Sequence, residues 1–103
     1  MGTSESILLK DGTRVGAAGI SFIFKFADNI KITQVIQQED GFIDINIVPD
    51  DGFCELNIMN IRKPIKERLG LDERDFKINI VNWDQIVYTK RNKFSLIISK
   101  YKK

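Results

Sequence analysis

Asp44 and Glu55 are the carboxylates best spaced for shared chemistry, because both fall on alternating apolar/polar segments joined by the Pro49-Asp50-Asp51-Gly52 turn. A facing acid pair about 5 to 9 Å apart in a cleft could serve glycoside hydrolysis. Both, however, occupy the polar parity of their segments, where ionised side chains are mostly solvated. A carboxylate-based hydrolase therefore ranks below any binding role. The turn acids Asp28, Asp50, Asp51 and Asp84 could gather around calcium, but the sequence holds no Asp-x-Asp-x-Asp-Gly loop, and acids at turns commonly serve their own backbone. Cys54 is the lone thiol. It shares strand parity with Leu56 and Ile58, which reads as a small buried hydrophobe rather than a nucleophile.

Histidine is absent. Serine–histidine and cysteine–histidine nucleophile systems are thereby excluded, as is an ordinary zinc site within one protomer. Neither a Gly-x-Gly-x-x-Gly nor a Gly-x-x-x-x-Gly-Lys-Ser/Thr string occurs, so the usual nucleotide cradles are missing. The expectation is a chain with no catalytic residues, no metal and no cofactor.

The elements that must position any site follow from hydropathy. With 103 residues, 43% hydrophobic and 29% charged, the chain reads as one globular domain spanning residues 1–103. No apolar run approaches the roughly 18 residues of a membrane span. Met1-Gly2-Thr3-Ser4-Glu5 does not begin a secretory signal, and a single cysteine suits a reducing compartment. A cytoplasmic protein is expected, and its heavy use of isoleucine, lysine and asparagine suggests an AT-rich bacterial or phage genome.

Period-two alternation dominates, so most segments read as half-buried strands. Ile7 to Leu9 is a short apolar start, and Lys10-Asp11-Gly12-Thr13 a turn. Ile20 to Ala27 reads as a core strand with Ile20, Phe22, Phe24 and Phe26 on one face. Ile30 to Gln38, Phe42 to Val48 and Phe53 to Ile61 form an antiparallel meander, with Asp40-Gly41 as a tight hairpin turn. Pro64 to Leu69, followed by Gly70, predicts one short helix near residues 64–69. Strands resume at Phe76 to Val81, Gln85 to Lys90 and Lys93 to Tyr101. Seven or eight short strands favour an all-β antiparallel sandwich, with a closed β-barrel as the alternative.

Function then rests on surfaces. Several strands carry apolar residues on both parities, and Ile23, Phe42, Val48 and Ile97 are the candidates for an outer apolar patch that would dock a protein partner or form a homodimer. A non-enzymatic protein-binding module, such as a small inhibitor, adaptor or accessory subunit, is the leading expectation. The alternative draws on charge. Residues 1–61 carry four Lys/Arg against nine acids, whereas residues 62–103 carry twelve against five. Lys90, Arg91, Lys93 and Lys102, interleaved with Tyr88 and Tyr101, could track phosphates and stack bases as single-stranded nucleic-acid binders do.

Overall fold

The computed structural model describes residues 6–25, 27–86 and 96–101. Those residues form a mixed α/β fold, with six strands in two sheets and two α-helices. The all-β sandwich and the closed barrel are both overturned.

A short hairpin comes first. Strand β1 (Ser6–Leu8) pairs antiparallel with β2 (Arg14–Gly16) around the Asp11-Gly12 turn. Helix α1 (Ala17–Phe24) follows at once, where a core strand was expected from residue 20. The apolar run is so continuous that both periods fit it: 20, 22, 24 on a strand, or 20, 23, 24 on a helix. Ala17 and Ala18, strong helix formers, tip the balance. Helical phase buries Ile20 and Ile23 and leaves Phe22 exposed. The Phe22 ring instead carries the Arg68 guanidinium, 4.6 Å from its centroid, a cation–π contact that ties the two helices together.

The hairpin expected at Asp40-Gly41 is present. It joins β3 (Ile30–Gln37) to β4 (Ile43–Pro49), with Gln37 facing Ile43. The segment after the next turn is not the third strand of a meander. It is helix α2 (Glu55–Leu69), which absorbs the short helix expected at 64–69 and carries Pro64 in its interior. Asn57, Ile61 and Ile65 are spaced by fours and are all buried, the signature of a helix face. Asn57 sets the first turn: its Oδ1 accepts the Cys54 backbone N–H at 2.9 Å, one half of a capping box. Gly70 ends the helix in the left-handed region at φ 65°, as a glycine just past a helix end should.

Strand β5 (Phe76–Ile80) then runs parallel to β4, and β6 (Ile97–Ser99) runs parallel to β3. The sheet order is β5-β4-β3-β6. A parallel neighbour needs a crossover, and α2 supplies the one between β4 and β5. Ile43, Ile45 and Ile47 alternate towards the helices; Phe76 pairs with Ile43, Val35 with Ile45, and Ile97 with Val35. With Ile20, Ile23, Ile61 and Ile65 they make the core. The opposite face carries Asp44, Asn46, Gln34 and Asn79 beside Ile36 and Val48. No helix among the described residues is long and apolar enough to cross a membrane.

Candidate functional site

The residues expected to act from sequence are dispersed by this fold. Asp44 sits on the sheet face away from the helices, where its carboxylate accepts the Gln38 amide at 2.7 Å and the Asn79 amide at 3.2 Å. Glu55 opens α2 and is exposed, a position where a negative charge meets the positive end of the helix dipole. The two acids were paired on the assumption that both lay on strands, and they do not face each other. Cys54, expected to be buried, is exposed at the start of α2. Among the described residues no group of three acids or thiols is gathered closely enough to hold a metal ion.

Ile23 and Ile97 lie in the core, at 5% and 1% exposure. Val48 is buried on the far face of the sheet, and Phe42 is half-buried at the β3–β4 turn. These positions do not share an outer surface. Tyr88, Lys90, Arg91, Lys93 and Lys102 lie outside the described residues. Tyr101 is described, and its ring packs on the hairpin glycine: a Cβ on Gly41 would stand 3.6 Å from it. Gly41 also holds φ at +97°, where a side chain would be strained, so one glycine both makes the turn and seats the ring.

That packing forms one wall of a cavity of about 420 Å³. The β1–β2 turn, the β3–β4 turn and the α2–β5 loop meet there, and the floor is the start of β4. Leu8, Phe42, Leu71 and Tyr101 supply apolar surface, and Lys10, Arg74, Asp75 and Asp40 supply charge. Gln37, 1% exposed, braces the site. Its Oε1 accepts the Leu8 N–H at 2.9 Å, and its Nε2 donates to the Leu8 carbonyl at 2.8 Å and the Gly41 carbonyl at 3.2 Å. One carboxamide thus holds β1 and the β3–β4 turn in fixed relation, because a buried amide is costly to leave unpaired.

Across the mouth, the Lys10 ammonium meets the Asp75 carboxylate at 2.8 Å. That hydrogen bond, helped by the Asp72 backbone N–H, holds the Asp75 carboxyl below its ordinary value of 3.8. A depressed carboxylate stabilises the fold above its unfolded pKa and loses that contribution as pH falls through the folded value. Lys10→Met should raise the Asp75 midpoint towards 3.8, as read by NMR titration of the side-chain carboxyl. An unchanged midpoint would show that the ion pair does not hold Asp75 in solution.

Sequence reasoning saw the Lys10-Asp11-Gly12 turn and named Phe42 and Tyr101 for other roles. It missed Gln37, Arg74 and Asp75. The charge-dense Asp72-Glu73-Arg74-Asp75 stretch was the one signal available, and nothing in it says that the loop closes over the β1–β2 turn.

The family model described as the CapK C-terminal domain matches residues 7–100. No curated protein sequence matches the chain. Among solved structures, a domain of phenylacetate-coenzyme A ligase from Bacteroides vulgatus ATCC 8482 has a similar fold, with TM-score 0.60 and 13% identity, covering 96% of this chain and 95% of that one.

Proposed function

Because this chain belongs to the CapK C-terminal domain family, we propose that it is an accessory domain of a coenzyme A ligase type of enzyme, docking on a larger catalytic body and performing no turnover alone. The family match over residues 7–100 carries this reading, since the family is itself described as one domain of a larger protein. The likeness to a domain of a ligase, running over nearly the whole of both chains, supports it. So does the chemistry within the described residues, where the two acids best placed in sequence for hydrolysis stand apart on different elements.

The test is reconstitution. The purified chain, given ATP, coenzyme A and phenylacetate, should form no thioester. Mixed with the body of a phenylacetate-coenzyme A ligase from which the equivalent domain has been deleted, it should sediment as a complex and restore thioester formation. Turnover by the chain alone, or neither association nor restoration in the mixture, would overturn the proposal.

A further inference from the structure

We propose that the outer edge of β5 is a self-recognition surface, on which a second copy of this chain lays its own β5 antiparallel about a two-fold axis through Ile78. Strand β5 ends the order β5-β4-β3-β6, so among the described residues one of its edges is paired and the other is not. Two bonds fix which backbone groups face outward. The Ile43 N–H donates to the Asp75 carbonyl at 3.1 Å, and the Val81 N–H donates to the Ile47 carbonyl at 2.9 Å. Successive residues of a strand turn their N–H and C=O groups to opposite edges, so the odd-numbered positions from Asp75 to Val81 serve β4. The groups of Phe76, Ile78 and Ile80 therefore point away from the sheet.

Soluble proteins usually blunt such an edge with proline, a bulge or an inward-pointing charge. β5 uses none of these. Its register with β4 runs unbroken from Ile43 and Phe76 to Ile47 and Ile80, it contains no proline, and its one charge, Lys77, lies beside Asp44 on the face away from the helices. The residues on the helix side are apolar and incompletely covered: Ile78 is half-buried and Ile80 is 48% exposed, with Trp83 exposed just beyond. An unpaired backbone edge selects an extended strand as its occupant. The apolar parity selects a strand that is itself apolar at alternate positions.

β5 meets both demands, and meets them symmetrically, as a two-fold interface requires. With the axis at Ile78, Phe76 of one copy faces Ile80 of the other, and the outward-pointing residues of both copies fall in the hydrogen-bonded pairs of an antiparallel ladder. An axis at Lys77 or Asn79 would leave part of that edge facing residues outside the strand, and at Lys77 it would also set two like charges opposite each other. At Ile78 the lysine faces Asn79 instead. Arg62 and Glu73 flank the groove along β5 and pair within each copy at 3.9 Å, with Lys66 also 3.9 Å from Glu73. Two cations against one acid leave a small positive excess on each copy, a repulsion that salt screens. So short a strand makes a small interface, and the dimer is accordingly a weak one.

Sedimentation of the whole chain from micromolar to millimolar concentration tests this, and needs no ligase partner, so its failure leaves the accessory-domain reading untouched. A monomer–dimer equilibrium should appear and tighten as salt rises. In the dimer, amide exchange should slow at Phe76, Ile78 and Ile80 and stay unchanged at Lys77 and Asn79, whose N–H groups already bond to β4. A mixture of isotope-labelled and unlabelled chains should show an intermolecular contact between the Hα protons of Lys77 and Asn79, a closely spaced pair in this register. Ile80→Lys, at an exposed position, should weaken the dimer at least tenfold while leaving the monomer's amide spectrum in place elsewhere. The proposal is overturned if the chain stays monomeric at millimolar concentration, if salt disperses the dimer, or if association leaves exchange at Phe76, Ile78 and Ile80 unchanged. It is equally overturned if the dimer lacks the contact between Lys77 and Asn79, or if Ile80→Lys associates as tightly as the parent chain.

Discussion

Ile61→Ala should cost about 2 to 5 kcal/mol of unfolding free energy, the range for emptying a fully buried aliphatic position, whereas Met59→Ala should stay within about 0.5 kcal/mol, as exposed substitutions do. The two residues stand two apart. On a strand they would share a face and their substitutions would cost alike. On α2 they point to nearly opposite sides, Ile61 at 0% exposure against the sheet and Met59 at 63% towards solvent. Urea unfolding of both variants reads the difference directly. Similar midpoints for the two would mean that residues 55–69 are not packed as this helix.

The second large effect falls on a polar residue. Gln37→Ala should destabilise by about 2 to 3 kcal/mol, since removing a buried partner leaves the desolvation penalty of the groups it served. Those groups are the Leu8 N–H, the Leu8 carbonyl and the Gly41 carbonyl. Besides the lower urea midpoint, amide exchange at Leu8 should accelerate relative to amides of the β3–β4 pairing, because β1 would lose the bond that fixes its backbone to the sheet. Loss of stability with Leu8 exchange unchanged would assign the effect to packing alone and refute the bracing role.

Where sequence and fold agree, local turn chemistry decided the matter. Asp40-Gly41 specified its hairpin, and the alternation of Ile43, Ile45 and Ile47 placed the core face of β4. The alternation of Phe76, Ile78 and Ile80 likewise marked β5 as a strand, although only Phe76 and Ile78 of the three reach the core. The failures share one cause, which is period. Residues 20–24 are apolar at almost every position, so strand and helix phases fit equally. At residues 54–61 the even-numbered Cys54, Leu56 and Ile58 suggested a strand, while the fourfold spacing of Asn57, Ile61, Ile65 and Leu69 extended past the apparent boundary at Pro64. Proline is costly inside a helix, so reading Pro64 as a helix start was physically reasonable. Tertiary burial of Ile61 and Ile65 outweighs that cost here. Turning one strand into a crossover helix also reverses the relation of its neighbours, from an antiparallel meander to β5 lying parallel to β4. The cavity was hidden for a different reason. Its charged residues come from loops far apart in sequence, and hydropathy patterns carry no information about which loops meet.

The pairing of β6 with β3 has a consequence for biosynthesis. Val35 faces Ile97, and Gln37 faces Ser99, so this edge cannot close until the ribosome has made nearly all of the sheet's other residues. Closing so long a loop carries an entropic cost that only later contacts offset. Meanwhile β3 can pair with β4 as a nascent hairpin and present an unpaired rim of backbone N–H and C=O groups, the kind of edge on which neighbouring chains add strands. Translation that stalls before residue 97 would therefore leave a folded but adhesive intermediate, and nascent chains of this protein should be most prone to coaggregate in that interval.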